Sequence, residues 1–159
     1  MAGTETDPGK TGELLQKMRH FCSFRERYTA EVEDRLRKLG GGKNEIPDII
    51  AQLRKEKFLS DDRFAASFAS GKFRINKWGR VKIRHELQAR GIPGEVISKG
   101  LEEIDHEEYL SVLGDLVRKK FAEIKGEKKL TVRNKIFTFV AGKGFESELI
   151  SEAIKELNI

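Results

Sequence analysis

One pattern recurs three times in the 159 residues and limits the fold more than any other feature. Ile83, Leu87, Gly91, Ile97, Leu101 and Ile104 form one copy. About 50 residues upstream stand Val32, Leu36, Gly40, Ile46, Ile50 and Leu53, and about 50 residues downstream stand Ile136, Val140, Gly144, Ile150, Ile154 and Leu157. In each copy, apolar residues four apart lead to a glycine, and a second apolar series at spacings of three and four follows. That spacing puts the apolar residues on one helical face. The glycine suits the position just past a helix C-terminus, where φ turns positive and a Cβ costs energy. Each copy is therefore helix, glycine stop, helix. Pro93 falls where the second helix begins and Pro47 in the matching first turn, where a missing N–H costs nothing. Ile92 and Phe145, directly after their glycines, can tuck under the turn.

A further helix precedes each pair. One runs from Ser60, a capping residue, to about Asn76, with Asp61 and Asp62 at its positive end and Phe64, Phe68, Phe73 and Ile75 facing inward. Another runs from Glu107 to about Lys125, with Tyr109, Leu110, Leu113, Val117 and Phe121 on one stripe. The first runs from Glu13 to about Arg25 through Leu14, Leu15, Met18 and Phe21. Residues 1–12, rich in Thr, Gly and charge, read as a disordered tail. The expected organisation is all-α: an elongated, curved array of three tandem three-helix repeats at residues 13–57, 58–105 and 106–159.

The net charge of +5 conceals a strong pattern. Residues 1–62 are balanced. Residues 63–91 hold 8 basic and 1 acidic side chains, and residues 92–115 hold 1 basic and 7 acidic. Residues 116–143 return to 9 basic and 2 acidic, and residues 144–159 end with 1 basic and 4 acidic. Such blocks set local potentials that steer association whatever the total. Placed in the repeat register, they are expected to fall on successive repeats.

Few chemistries survive this composition. One cysteine, Cys22, precludes an internal disulfide or a cysteine zinc cluster, and reads as a small core filler. His20, His85 and His106 are too far apart for a local metal motif. Thr4 to Thr11 falls short of a phosphate-binding loop because Thr4 replaces the first glycine. Gly40-Gly41-Gly42-Lys43 reads as a flexible interhelical loop, and Gly142-Lys143-Gly144 lacks the preceding strand of a dinucleotide fingerprint. No apolar run approaches the roughly 20 residues needed to span a bilayer. No catalytic residue, metal or cofactor is expected, and the chain reads as a cytoplasmic monomer.

The most informative strip is Lys72, Arg74, Lys77, Trp78, Arg80, Lys82 and Arg84. It places six cations around the only tryptophan. A basic cluster with an aromatic can bind phosphates and stack a base, or can anchor in an acidic protein groove. Alternatively, Trp78 wedges two helices together and the charges are solvated. Val81, Ile83 and Leu87 are read as the inward face of the helix that begins near Gly79.

Phe58-Leu59-Ser60-Asp61-Asp62-Arg63-Phe64-Ala65, then Trp78-Gly79-Arg80-Val81-Lys82-Ile83-Arg84-His85-Glu86-Leu87, then Arg90-Gly91-Ile92, resembles the central signature of the RecX regulatory proteins. Asp61, Asp62, Arg63, Phe64, Gly79, Ile83, Glu86, Leu87, Gly91 and Ile92 carry it, mainly in structural roles. Tyr28 to Leu36, and Lys143 to Glu146 with Leu149 and Ile150, resemble the flanking copies. The resemblance implies a protein that lodges in the helical groove of the RecA filament on single-stranded DNA. It implies restraint of ATP hydrolysis, filament growth and strand exchange in recombination, DNA repair and the SOS response. The basic strip supplies the expected contacts on that reading: Lys72, Arg74, Lys77, Trp78, Arg80, Lys82 and Arg84 are expected to touch RecA or DNA, any DNA binding being nonspecific and salt-sensitive. The rival readings are a nonspecific nucleic-acid-binding helical module and a helical scaffold for another partner. One departure is Gly40-Gly41-Gly42, where a single glycine and an apolar residue are expected; the first repeat should therefore dock its last helix loosely.

An array of this kind has a signature in solution. A compact globule of 159 residues has a radius of gyration near ~15 Å. Small-angle scattering should give a clearly larger value, and one at or below that figure removes the elongated array.

Overall fold

The computed structural model describes residues 8–124 and 126–159. Among the described residues there are nine helices and no strand. They are α1 (Pro8–Phe24), α2 (Thr29–Lys38), α3 (Glu45–Lys55), α4 (Asp61–Asn76), α5 (Arg80–Ala89), α6 (Gly94–Leu101), α7 (His106–Ile124), α8 (Lys129–Gly142) and α9 (Ser147–Lys155). Each helix packs chiefly against the others of its own trio, so the chain is three successive three-helix modules. No described helix is long and apolar enough to cross a membrane.

The glycine stops act as the repeat requires. Gly40, Gly91 and Gly144 adopt φ of +87°, +76° and +95° at the ends of α2, α5 and α8. Beyond them the N–H groups of Gly41 and Ile92 return to the carbonyls of Leu36 and Leu87 at 2.8 and 3.3 Å, closing the helix ends. Ile92 and Phe145 are buried under their turns. Val32, Leu36, Ile83, Leu87, Ile136 and Val140 are all wholly buried. Ser60 caps α4 by accepting the Arg63 N–H at 3.2 Å. Pro93 sits at the N-cap of α6, just before its first helical residue.

Several sequence expectations change. The tail expectation for residues 1–7 lies outside the described residues, and α1 already begins at Pro8. Ile75, Val81 and Leu110, expected inside, are 82%, 55% and 40% exposed. In α5 the cause is geometric: at 100° per residue a stripe through Ile83 and Leu87 cannot also hold Val81. The last helix of the first module is not loosely docked. Ile46, Ile49, Ile50 and Leu53 of α3 are buried, and a Cβ on Gly41 would stand only 3.2 Å from the Ile46 side chain. Here the second glycine lets α3 close in where the other modules use an apolar plug.

The Gly9-Lys10-Thr11 stretch of the near-miss phosphate loop is part of α1. Lys10 Nζ donates to the Gly40 carbonyl at 3.0 Å, and the Thr11 hydroxyl donates to Glu45 at 2.5 Å. At the other end of α1, Arg19 makes a paired contact with Glu56 at 2.9 and 2.6 Å. Cys22 is buried in the same core, and burial pushes its thiol pKa up, as suits an inert filler.

These contacts make α1 docking sensitive to acid. The Thr11 hydroxyl, then the Gly42 N–H, hold Glu45 below its usual 4.5; the hydrogen bond from Arg19 does the same for Glu56. A lowered carboxylate pKa stabilises the fold above its ordinary value and loses that contribution as pH falls through the lowered one. Met18 lies on the buried face of α1 and is the only methionine besides Met1. Its methyl resonance should shift toward the unfolded position as pH drops from 6 to about 3. The double variant Glu45→Gln, Glu56→Gln should flatten that dependence. A Met18 signal indifferent to pH in the parent protein would show that these carboxylates do not hold α1.

Candidate functional site

The basic strip lies at the turn between α4 and α5 and at the start of α5. Lys77 closes α4 in the left-handed conformation, φ +57°. The Trp78 N–H then returns to the Lys72 carbonyl at 3.2 Å. This hairpin of backbone lays the half-buried indole edge-on to Phe68, with ring centroids 6.4 Å apart. Lys72 Nζ stands 4.9 Å and Lys82 Nζ 4.5 Å from the Trp78 ring centre. Two ammoniums on one indole form a cation–π cluster that also holds the positive charge in place. Trp78 both packs on the core and presents a ring to the surface.

The remaining cations separate. Lys77 is exposed at the turn. Arg74 reaches Glu108 at 3.9 Å. Arg84 donates to Ser98 Oγ at 3.1 Å, on the flank of α5 that faces α6. Lys82 and Arg84 are about 160° apart around the helix, so they serve different faces.

Arg80 is tied into the protein itself. Its Nη1 donates to Glu146 at 2.8 Å, and its guanidinium lies 3.8 Å over the ring of Tyr109. Nη2 lies 3.0 Å from His106 Nδ1, which must be the unprotonated ring nitrogen because Arg only donates. The Tyr109 hydroxyl accepts the Arg80 backbone N–H at 3.0 Å and donates to Glu146. On either side, the Gly79 N–H donates to the Lys143 carbonyl at 2.8 Å and the Val81 N–H to the Gly144 carbonyl at 2.9 Å. Three consecutive orphan donors at the start of α5 are thus satisfied by the third module. The backbones touch: a Cβ on Gly79 would lie 2.3 Å from the Gly144 oxygen. Gly79 therefore serves close approach, since its own φ of −80° suits any residue.

Tyr109 is completely buried between two rings, stacked on Phe73 at 5.6 Å and tilted against Phe145 at 4.9 Å. Burial, reinforced by the hydrogen bond to Glu146, raises its phenol pKa far above the usual range, so it remains a donor. This aromatic column makes the cores of modules two and three continuous, from Phe64 to Ile154. Module one keeps a separate core. Its joint to module two includes the Thr29 N–H and hydroxyl on Asp61 at 2.8 and 2.9 Å, Arg63 on Glu26 at 3.0 Å and on the Lys57 carbonyl at 2.7 Å, and Tyr28 against Phe64 at 4.9 Å.

The signature residues therefore have physical duties. Asp61 joins two modules and stands with Asp62 in the first turn of α4, and Phe64, Ile83, Leu87 and Ile92 fill the core. Glu86 pairs with Arg90 at 3.2 Å. The Tyr109–Glu146 pair was not singled out from sequence. Its partners lie 37 residues apart, beyond the reach of helical periodicity.

Residues 60–101 match the family model described as RecX, second three-helix domain, and residues 107–154 match RecX, third three-helix domain. The chain is 31% identical over 150 residues to a regulatory protein RecX of Clostridium acetobutylicum, covering 91% of this chain and 69% of that protein. It is 31% identical over 139 residues to one of Oceanobacillus iheyensis, and spans 51% of that relative's length. A third, from Prosthecochloris aestuarii, is 26% identical and matched over 95% of its length. The crystal structure of RecX from Lactobacillus salivarius superposes with a TM-score of 0.88 over 94% of this chain and 97% of that one, at 23% identity; it shows the same fold.

The junction carries a measurable load. Tyr109→Phe removes the acceptor of a buried N–H and the donor to Glu146, a loss of about 1–3 kcal/mol. Urea unfolding followed by Trp78 fluorescence should show a lower midpoint for this variant. A midpoint equal to that of the parent would mean that the hydroxyl does not hold the modules together.

Proposed function

The chain belongs to the RecX family of regulatory proteins, and from that premise we propose that it binds the RecA filament on single-stranded DNA and restrains it. The binding surface is the helical groove of the filament. The effects are lower ATP hydrolysis, less filament growth and less strand exchange. The protein acts as a cytoplasmic monomer and by occupancy, without a reaction of its own.

The observation that carries this reading is how charge falls on the fold. The blocks follow helices more than modules. The basic block 63–91 covers most of α4 and all of α5, and the acidic block 92–115 covers α6 and the first half of α7. The basic block 116–143 covers the rest of α7 and α8, and the acidic end covers α9. Alternating fields on a continuous body of helices suit a long groove whose walls repeat with each subunit. Several weak contacts to neighbouring subunits then add through avidity. Lys72, Arg74, Lys77, Trp78, Lys82 and Arg84 are the proposed contacts. Arg80 contributes by fixing the frame in which they stand, because its guanidinium is engaged at the module junction.

RecA-dependent ATP hydrolysis on single-stranded DNA should fall as the protein is added, and an unchanged rate at saturation would refute the proposal. Lys72→Glu, Lys82→Glu should weaken inhibition at least tenfold with helix content intact by circular dichroism. Full inhibition by that variant would remove these two lysines from the contact surface.

A further inference from the structure

The end repeats of a helical array need polar outer faces, and module one does not have one. Phe24 of α1 is 71% exposed, with His20 edge-on to it and ring centroids 4.7 Å apart. Half-buried Phe21 and Leu39 continue the apolar surface across to α2, and with Phe24 they line a groove of about 810 Å³ between the two helices. Lys17 and Arg35 stand exposed on its walls, and neither enters an ion pair among the described residues. The Arg35 guanidinium lies 5.8 Å from the centre of the Phe21 ring, which keeps the charge beside the groove. Exposed Glu13 lines the groove as well.

Module three presents the complement. α9 packs on α7 and α8 through buried Ile150 and Ile154. Its opposite side shows Glu148, Glu152, Lys155 and Glu156, all exposed and none in an ion pair among the described residues. Half-buried Leu149 and Ala153 border that stripe. Order matches as well as sign. Glu13, Lys17 and His20 fall on one stripe of α1, at spacings of four and three. Lys155, Glu152 and Glu148, taken backwards, fall on one stripe of α9 at spacings of three and four. Each run advances about 10.5 Å along its helix. Laid antiparallel, Glu13 meets Lys155, Lys17 meets Glu152, His20 meets Glu148, and Phe21 comes beside Leu149. We propose that the groove between α1 and α2 receives α9 of a second copy, so that copies join head to tail, module three of one against module one of the next. The contact is heterologous, a groove on one side and a helix on the other, and can therefore repeat. Exposed ion pairs are individually weak, so the dilute protein stays monomeric and association sets in where copies are concentrated. The inference goes beyond binding to RecA. Its test contains neither RecA nor DNA, so the two readings fall separately.

Sedimentation velocity at low salt, over a rising concentration series, should show the full chain associating, and added salt should reverse it. Lys17→Glu, Arg35→Glu spoils the groove, and Glu148→Lys, Glu152→Lys spoils the helix. Each variant alone should associate about tenfold or more weakly, since like charges then face each other. Mixed in equal amounts, the two should associate again, because the first keeps an intact α9 and the second an intact groove. Circular dichroism checks that each variant is helical, and recovery in the mixture excludes misfolding as the cause of the loss. Three results overturn the proposal: a parent protein that is monomeric up to its solubility limit, a folded variant that associates like the parent, or a mixture that stays dissociated.

Discussion

The start of α5 cannot satisfy its own backbone. Gly79, Arg80 and Val81 present three N–H groups that no intrahelical carbonyl reaches, and no residue of module two caps them. The Lys143 carbonyl, the Tyr109 hydroxyl and the Gly144 carbonyl meet them in turn. The debt of one module is thereby settled by the end of α8 and the start of α7 in the next. Most else follows. The α4–α5 turn is fixed, so Trp78 has a defined seat. Tyr109 must be buried to reach Arg80, so the aromatic column forms and two cores become one. The first joint repeats the logic more lightly, with the Thr29 N–H at the start of α2 held by Asp61 of module two. There the cores stay separate, and polar contacts with one ring pair carry the connection.

Arg80 shows why the residue type matters at such a joint. Its planar guanidinium lies over the Tyr109 ring while donating along its edge to Glu146 and His106. A lysine ammonium at that point could supply one charge but could not stack and fork together. An isolated surface ion pair is worth little, about 0–1 kcal/mol. Arg80–Glu146 differs because both partners are half-buried and share hydrogen bonds with Tyr109, so the pair fixes orientation more than it adds attraction.

The fold was legible wherever its cause was local. Helical spacing found the buried residues of all three modules, and the glycine at each stop marked where one helix ends. The Ser60 cap was visible for the same reason. What was hidden depends on distant partners. Arg80 sits in a run of cations, and such a run normally marks a solvated face; its partner is 66 residues away. Glu146 gave no repeat signal, since the matching place in the second copy is Pro93. Ile75, Val81 and Leu110 were read inward because apolar residues usually are, yet each lies off the arc that its own helix buries, Val81 on the far side of α5 from Ile83 and Leu87.

The joint and the surface belong to one design. Multivalent binding gains only when the spacing of contacts on the ligand matches that on the target, and a floppy link between modules dissipates the gain as entropy. Gly79 against Gly144 leaves no room for slippage, because a single added methyl group on either would collide with its neighbour. The Arg80–Tyr109–Glu146 cluster then locks the angle. Between them they hold modules two and three, and Trp78 with them, on one continuous body. In a protein whose work is to occupy a repeating surface, a buried tyrosine and a half-buried arginine act on the partner through the distances they enforce.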